Sequence, residues 1–536
     1  MSWSHGFRQA LTHRSIVPSY RLAIRSFTAV SIIFNIRSTG RSIAIDREGP
    51  TINGQRIIPL RWSITFGGFT VPIVGDMSGL FPAVRKGSFA ELFCEIDGHE
   101  ERIACGQLRS INKRYNRFIL EFVDLISALQ TRYETTPAAG TPEEPDPFSL
   151  FYSAGIETTL SSNWTNHGAG FPTQLNLNDI RGFHKENGTY GVVRCQPASG
   201  NEFILQWDSK TTTSGNAGFL TLSHTYQFSS TIYPTVYSPV NLTTSDKVFT
   251  AQYLQGWPAD IFGKMLMGTT GTGSGLLTYP PAMNSGIGLS SSFYDQQDAD
   301  TWKSYLKGAA PNLSAYDIGY VVNSPMTGGF RNLIEVFAKV GHWPVWRQNA
   351  ISYRSCLLLN SSNITVAAKI YDTDIFELRT HELYSNDQQN TFFRSSNIYQ
   401  NKAGLTSSIT FTTGSTKAAS LPVQSNNERN VTGLYGYSPW TATADRSSLA
   451  NGDVQRLKEW DLFNYEKLVL VVKLKYATLC CGDVVAIHSG IFYGVNQGAN
   501  DRTYAGTRFM VVGVDYSISS ASCVLTLAAP YRQSAL

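Results

Sequence analysis

Apolar and polar residues alternate in short runs along most of this chain, and the runs have the length of β-strands. Such runs are clearest near the C-terminus, at Leu468–Lys475, Leu479–Ile487, Arg508–Tyr516 and Cys523–Leu527. They are rich in β-branched residues and are bounded by Gly, Asp, Asn and Ser, as strands joined by turns are. The pair Gly482-Asp483 predicts a tight turn, because Gly adopts positive φ and Asp bonds nearby backbone N–H groups. We therefore expect a wall of strands in which Asp483 is a turn residue rather than a catalyst.

The N-terminal part, residues 27–133, shows the same pattern. Leu92–Ile96 and Glu101–Cys105 flank the pair Asp97-Gly98, and Asp-Gly between alternating apolar runs predicts a two-residue hairpin. Phe118–Phe122 predicts the next strand of that sheet. Apolar residues at helical spacing within Val123–Tyr133 then predict a short helix.

Helical periodicity is concentrated between residues 256 and 343. Pro258 stands where a first turn would begin, a second helix is predicted around Trp302, and a third is predicted over Phe330–Phe337 with Gly341 as its stop. The segment His342–Gln348 carries two Trp beside a Pro. It predicts a rigid, packed core corner, with a sugar-binding platform as the alternative.

These patterns define a mainly β fold with a smaller α+β insert. The predicted parts are an N-terminal β domain (1–133), a Pro-rich linker or long loop (134–148), a β domain (149–255), an α+β insert (256–350) and a C-terminal β domain (351–536). The chain has 536 residues, and this length suits several domains of about 150 residues each.

Composition narrows the class of protein. Charged residues make up 16% of the chain, against about 25% in an average globular protein, which suits surfaces that become buried at subunit contacts. The net charge is +4 without a dense Lys/Arg block, so nothing demands a nucleic-acid binder. Seven widely spaced Cys without C-x-x-C favour small buried residues in a chain made in a reducing cytoplasm. No apolar run approaches the ~18 residues of a membrane span.

Two motifs suggest ligand-binding sites, but each lacks residues that such a site requires. Gly268–Gly275 is Gly-rich but lacks the Lys-Ser/Thr of a phosphate-binding loop, so a flexible surface loop is favoured. Asp372 and Asp374 would share one face of a strand and could hold a divalent cation, but a solvated face has the same pattern. Neither a Gly nor a closing Glu at calcium-loop spacing accompanies them.

Motifs for catalysis are also missing. His381-Glu382 has no second His one turn on, and no Ser occupies a Gly-x-Ser-x-Gly elbow. Cys480 and Cys481 occupy neighbouring strand positions, so we expect one in the core and the other facing a neighbour. We predict that the chain is not an enzyme, and we assign no catalytic, cofactor-binding or metal residues and no cofactor.

Several segments, taken in order, resemble a known family. They are Trp257–Ile261, Thr269–Gly273, Ser285–Gly288, the Phe330–Gly341 helix with the His342–Asn349 segment after it, and the strands from Gly482 to Leu527. This series resembles the hub protein at the tip of the long tails of bacteriophages and phage-like particles. The resemblance covers about residues 256–360 and 450–530.

The resemblance implies a homotrimer with two tube-like β-barrel domains per chain, each assembled from segments far apart in sequence. Such a ring caps or continues the tail tube and gates the passage of DNA through its lumen. The implied partners are the distal tail protein ring, the tail tube protein, the tape-measure protein, and tail fibre or spike proteins. The implied location is the virion tail tip, after assembly in the bacterial cytoplasm. Some relatives carry a fused peptidoglycan hydrolase, and we expect none here.

Two other functions stay open. A host-surface adhesin that binds polysaccharide would use the abundant Trp, Tyr and Asn residues. A cell-wall hydrolase would need only two well-placed carboxylates, although the low content of Asp and Glu gives it no support.

Overall fold

The computed structural model describes most of the chain in separate stretches. These are residues 3–13, 16–25, 31–36, 50–59, 63–74, 84, 86–114, 117–129, 157–165, 173–180, 183, 191–198, 203–222, 241–267, 291–309, 318–322, 334, 337–338, 341–357, 359, 364–384, 392–400, 406–414, 428–433, 456, 460, 464–493 and 503–531. The predicted linker at 134–148, the Gly-rich stretch at 268–275 and most of the third predicted helix lie outside them. Of that helix, Ile334 and Phe337 are described, and both are buried.

The N-terminal part is a short helix followed by strands. Helix α1 (His5–Ala10) begins after Ser4, whose hydroxyl accepts a hydrogen bond from the Phe7 N–H. The strands are β1 (Ser19–Arg25), β2 (Ser31–Ile36), β3 (Thr51–Ile58), β4 (Ser63–Thr65), β5 (Gly68–Val74), β6 (Phe89–Ile96), β7 (His99–Arg114) and β8 (Arg117–Asp124), and helix α2 (Leu125–Leu129) closes the series.

The middle part is built from strands that form a sheet of their own. They are β9 (Glu157–Thr159), β10 (Trp164–Thr165), β11 (Gln174–Leu177), β12 (Gly191–Gln196), β13 (Phe203–Ser214), β14 (Ala217–Leu222), β15 (Asn241–Leu242) and β16 (Lys247–Gly256). The sheet runs in the order β11-β14-β13-β12-β16, with β9 also on β16, while β10 pairs with β15. Its apolar side chains form a separate core around Leu175, Trp207 and Leu220.

The predicted insert contains helices α3 (Pro258–Met267) and α4 (Gln296–Ala309), strand β17 (Ile318–Val322), which pairs with β16, and a hairpin of β18 (His342–Arg347) and β19 (Ala350–Ser355). The predicted helix at Pro258 is confirmed. The corner predicted at His342–Gln348 is instead a strand, whereas the interpretation of Trp343 as a core residue is correct. Proline has no backbone N–H to donate to a neighbouring strand. Strand β18 pairs with β19 in a two-stranded ribbon, so Pro344 can occupy a position where the N–H would face away from β19.

The C-terminal part returns to strands. They are β20 (Ala368–Tyr371), β21 (Ile375–Tyr384), β22 (Phe392–Gln400), β23 (Thr406–Gly414), β24 (Glu428–Gly433), β25 (Asn464–Lys473), β26 (Val484–Tyr493), β27 (Thr503–Ser517) and β28 (Ser522–Tyr531). The last four contain the runs from which strands were predicted. Strand β26 begins later than predicted, because Leu479–Asp483 forms a turn. In β25, Leu468, Leu470 and Val472 are fully buried on one face, and each contributes about 1.5–3 kcal/mol through burial.

One large sheet joins the two ends of the chain. Its strands follow the order β2-β1-β6-β7-β8-β5-β3-β27-β28-β25-β21, with β4 on β3, and β26 between β27 and β20. The seam is the antiparallel pair β3–β27, in which Gly513 lies opposite Arg56 and Tyr516 opposite Ile52. An ion pair of 2.6 Å between Arg56 and Asp515 spans this seam. The prediction of a mainly β fold is confirmed.

Local details also follow the sequence. The β6–β7 hairpin turns at Asp97 (φ 52°) and Gly98 (φ 79°), the two positive φ values of the turn that Asp-Gly favours. Strand β8 alternates buried and partly exposed residues, as a strand with one face on the core does. Within the described residues, no helix has the length and apolar character needed to cross a membrane.

Candidate functional site

A buried arginine connects three distant segments of the chain. Arg354 in β19 is 1% exposed, and its guanidinium donates to Asp298 Oδ2 in α4 at 2.5 Å and to Asp483 Oδ1 at 2.9 Å. It also donates to Cys480 Sγ at 3.1 Å and lies 4.5 Å from the centre of the Trp302 ring. We call Arg354, Asp298, Asp483, Cys480 and Trp302 the Arg354 junction. These contacts hold the β18–β19 hairpin to helix α4 and to the turn before β26.

Local structure brings each carboxylate to the arginine. Asp298 lies in the first turn of α4, where a negative charge is favourable, and its own N–H donates to the Asp295 carboxylate at 3.2 Å. Asp483 follows Gly482 in the turn before β26 and accepts a hydrogen bond from the Cys480 N–H at 3.0 Å. The prediction that Asp483 is a turn residue is therefore confirmed, and the residue has a second role as a partner of Arg354.

Gly482 is required at this turn for two reasons. Its φ of 100° is unfavourable for a residue with a side chain. A Cβ at this position would also lie 2.9 Å from both Cβ and Cγ of Arg354. The turn can therefore approach the arginine only because residue 482 has no side chain.

Asp298 and Arg354 stay ionised despite burial. Burial works to raise the pKa of Asp298, but Arg354 and Arg347 outweigh it and hold that pKa below its usual range. Burial works to lower the pKa of Arg354, and the negative charges of Asp483 and Asp298 raise it further than burial lowers it. Burial raises the pKa of the Cys480 thiol well above its usual value, so this cysteine is a neutral hydrogen-bond partner rather than a nucleophile.

A second set of contacts ties the start of the chain to the same hairpin. The Trp3 backbone N–H donates to Gln348 Oε1 at 2.6 Å, and its indole N–H donates to the Arg102 carbonyl at 3.0 Å. The Trp3 ring packs edge-on against Phe7 and Tyr516. The N-terminal segment therefore contacts the N-terminal strands, the hairpin and β27 at once.

Arg102 extends this link to the insert. Its guanidinium pairs with Glu91 at 2.9 Å and donates to the carbonyls of Ser292 and Asn349 at 3.0 and 2.6 Å. It also lies 3.9 Å from the centre of the Phe293 ring. Its donors contact backbone and carboxylate oxygens of three segments, which is an arrangement for holding parts of a chain together.

The predicted aspartate pair does not form a cation site. Asp372–Asp374 is a single 3-10 turn between β20 and β21 rather than part of a strand, so the two carboxylates do not share a face. Asp372 accepts from the Ser489 hydroxyl and from the Gly490 N–H.

Asp374 is buried and accepts from Lys473, Lys475 and the Tyr476 hydroxyl at 3.0, 2.9 and 2.7 Å. Burial works to raise the pKa of Asp374, but Tyr476 and the two lysines outweigh it and bring the pKa to about 2. Within the described residues, no group of three or more His, Cys, Asp or Glu side chains could hold a metal ion.

The prediction for the adjacent cysteines is wrong. Cys480 and Cys481 lie in the turn before β26 rather than in a strand, and both are buried within the chain. Cys481 donates to the Gln55 carbonyl at 2.6 Å, whereas Cys480 contacts Arg354. Turn geometry allows both side chains to point inward, which the alternation of a strand would forbid.

The side chains of His381 and Glu382 contact different residues. The His381 imidazole contacts Glu466 Oε1 at 2.6 Å, and Glu382 pairs with Lys467 at 3.2 Å. Glu466 is buried and also accepts from the Tyr504 hydroxyl. These contacts join β21 to β25 and to β27.

The comparisons with known proteins return solved structures of tail proteins and of a PdpA–VgrG complex. The chain is similar to a tail protein from Neisseria meningitidis, with 10% identity, a TM-score of 0.35 and coverage of 95% of this chain and 96% of that chain. It is similar to the 43 kDa tail protein of prophage MuSo2 from Shewanella oneidensis, with 9% identity, a TM-score of 0.34 and coverage of 95% and 96%. A chain of the Francisella PdpA–VgrG complex matches at 9% identity and a TM-score of 0.34, with 97% of this chain and 54% of that chain covered. No protein-family model and no curated protein matches the sequence.

Sequence reasoning missed the Arg354 junction. Neither Asp298 nor Arg354 belongs to a motif that singles it out in the sequence. The available signal was the Gly482-Asp483 turn, because a Gly with positive φ beside a polar residue often accompanies a close approach of another group. The partner of that turn could not be identified from spacing alone.

Proposed function

We propose that this chain is a structural, non-enzymatic hub of a phage tail tip. The observation that carries the proposal is the seam between β3 and β27, which joins strands from both ends of the chain in one sheet. The hub resemblance implies domains assembled from distant segments, and such a seam is what that assembly requires. The middle β sheet and the helical insert lie between these segments in sequence.

The polar contacts described above support a mechanical role. Arg354, Arg102 and Trp3 each contact at least two distant parts of the chain, and Arg354 and Trp3 are almost fully buried. A side chain that acts on a substrate needs access to it, whereas these groups use their hydrogen-bonding capacity on the chain itself. The junction is therefore suited to keeping its parts in fixed positions under load.

The proposed assembly is a homotrimeric ring that caps or continues the tail tube. In it, each chain contributes tube-like domains, binds the distal tail ring and tail tube proteins, and carries fibre or spike proteins. The tape-measure protein and then DNA would occupy the lumen. The assembled ring would form in the host cytoplasm and remain in the virion.

An exposed apolar surface gives a specific subunit contact to test. Six large apolar residues of the described part are exposed, and four of them lie on β20, β21 and β26: Tyr371, Phe376, Leu383 and Ile491. Strand β21 is also an end of the main sheet. Large apolar side chains exposed on a sheet edge are typical of an interaction surface, and we propose that a neighbouring copy covers these residues.

Light scattering after size exclusion tests the assembly. A trimer has three times the chain mass of 59.1 kDa, and electron microscopy after mixing with the tail tube and distal tail proteins should show rings. The double variant Phe376→Glu/Ile491→Glu should lower the mass, whereas Val17→Glu, at a site 78% exposed elsewhere, should leave it unchanged. A wild-type monomer at micromolar concentration that forms no ring with those partners would refute the proposal.

The alternative function is an adhesin that binds polysaccharide, and the positions of the described tryptophans bear on it. Described tryptophans that are buried are Trp3, Trp164, Trp207, Trp257, Trp302, Trp343 and Trp460. A sugar-binding platform needs an exposed aromatic face, so these residues serve the cores instead. Saturable binding on a glycan array would favour the adhesin, and a hub should show none.

A further inference from the structure

A small cavity of about 50 Å³ lies where four parts of the chain meet. The N-terminal strands, the β18–β19 hairpin, the turn before β26 and strand β27 all contribute to its wall. Most of the lining is apolar or consists of cysteine thiols. Apart from the thiols, the side chains of its wall with polar atoms are those of Gln55, Asp124, Trp346, Gln348 and Tyr516, and the Tyr516 hydroxyl donates to the Ile103 carbonyl at 3.2 Å.

Two of these side chains are buried without a hydrogen-bond partner among the described residues. Gln55 is 5% exposed, and neither its Nε2 nor its Oε1 has a partner. The Trp346 indole N–H is likewise buried and unpartnered. By contrast, Gln348 accepts from the Trp3 N–H and donates to the Thr478 carbonyl. Buried polar groups are nearly always paired with protein or with ordered water, so the cavity offers two donors and one acceptor to an occupant.

The residues of the cavity wall indicate whether an anion, a metal ion or a neutral molecule would bind there. Among the described residues that line the cavity there is no Lys or Arg, so an anion would find no cationic partner in the wall. No group of three potential metal ligands occurs among the described residues, which disfavours a bound metal ion. A neutral molecule that both donates and accepts fits the three groups, and water is such a molecule.

We propose that this cavity is an internal hydration site in which ordered water bridges Gln55 and Trp346. One water needs roughly 10–15 Å³ of cavity volume, so a volume of about 50 Å³ corresponds to about three to five molecules. Gln55 belongs to β3 and Trp346 to β18, and the water therefore joins the N-terminal sheet to the hairpin through hydrogen bonds. Water molecules can exchange their hydrogen-bond partners, so β3 and β18 can move slightly relative to each other at this site. The Arg354 junction, in which the side chains bond directly, holds one geometry.

Magnetic relaxation dispersion, which counts internal waters with long residence times, tests the site. Gln55→Leu and Trp346→Phe should each lower the count relative to wild type, Gln55→Leu by more because it removes a donor and an acceptor. The matched control is Gln107→Leu, which makes the same change at an amide that already donates to the Gly87 carbonyl at 3.0 Å. Its count should equal that of the wild type.

A high-resolution experimental structure gives the second readout. Density within hydrogen-bond distance of Gln55 and the Trp346 indole nitrogen, without anomalous signal, would support water. A dry cavity would overturn the proposal: the water counts would then be equal in all variants, and Gln55→Leu would raise the denaturation midpoint by removing an unpaired amide. Anomalous density from a metal, or an anion bound there, would overturn it as well.

Discussion

Replacement of Arg354 by Met tests whether the Arg354 junction holds the parts of the chain together. Met keeps much of the aliphatic volume beside Trp302 and removes the charge and the donors. The buried Asp483 carboxylate would then retain the N–H of Cys480 at 3.0 Å and the thiol of the same residue at 3.5 Å. Asp298 would keep Arg347 at 2.9 Å and the Ser352 hydroxyl at 2.6 Å.

The magnitude follows from these remaining contacts. Removing one partner of a buried ion pair costs about 3–5 kcal/mol, because the other charge is left uncompensated. Since Asp298 stays paired and Asp483 keeps the two donors of Cys480, we expect the lower end of this range, about 3 kcal/mol. The matched control is Arg379→Met, because Arg379 is 51% exposed and pairs with Glu377 at 3.1 Å. Exposed pairs of this kind are worth at most ~1 kcal/mol.

Urea denaturation followed by circular dichroism measures the free energy of unfolding, with Trp fluorescence as a second probe close to the junction. A cycle with Asp483→Asn isolates the pair, because Asn still accepts the Cys480 hydrogen bond. Asp483→Asn should cost less in the Arg354→Met background than in wild type. Equal costs in the two backgrounds, or a loss below ~1 kcal/mol for Arg354→Met, would refute the reasoning.

Three further predictions use other residues. In urea denaturation, Gly482→Ala should lower the free energy of unfolding by more than Gly98→Ala does. Both glycines have a positive φ, which costs a residue with a side chain about 1–2 kcal/mol, but only a Cβ at residue 482 would meet Arg354, whereas a Cβ at residue 98 would face open space. Equal losses in the two variants would contradict the crowding at residue 482. Burial raises the pKa of Asp124 to about 7 from 3.8, so its stabilising contribution is full below pH 4 and is lost as pH rises to 7. At 1.36 kcal/mol per pKa unit, this contribution is up to ~4 kcal/mol, and about 2 kcal/mol because Asp124 is partly exposed. Asp124→Asn should therefore flatten the dependence of the free energy of unfolding on pH between about pH 4 and 8, and an unchanged slope would contradict the shift. Trp3→Ala should cost about 3–5 kcal/mol and speed proteolysis of the N-terminal segment, and unaltered cleavage would show that this segment is not anchored.

The sequence predicted the features that depend on neighbouring residues. Asp97-Gly98 makes the hairpin, Pro258 begins a helix, and Gly482 makes a turn, since each outcome depends on local φ preferences. The apolar alternation also identified which strands exist. Local preference decides these features before any distant contact forms.

The partners of these elements could not be predicted. Alternation tells which face of a strand is buried, but it does not tell that β3 lies beside β27. Asp298, Arg354 and Asp483 each have the character of a surface residue when taken alone, and only folding brings them together. The 3-10 turn at Asp372–Asp374 likewise depends on Tyr476 and on lysines about 100 residues away.

The seam between β3 and β27 has a consequence for synthesis. A ribosome releases β3 long before β27, so the β3 edge stays open until the last strands emerge, and contacts of such sequence separation form slowly. A chain interrupted before residue 503 lacks β27 altogether and would present β3 as an open edge, a known template for aggregation. Translation through β27 thus acts as a checkpoint, because only a chain that contains this strand can pair the open edge of β3.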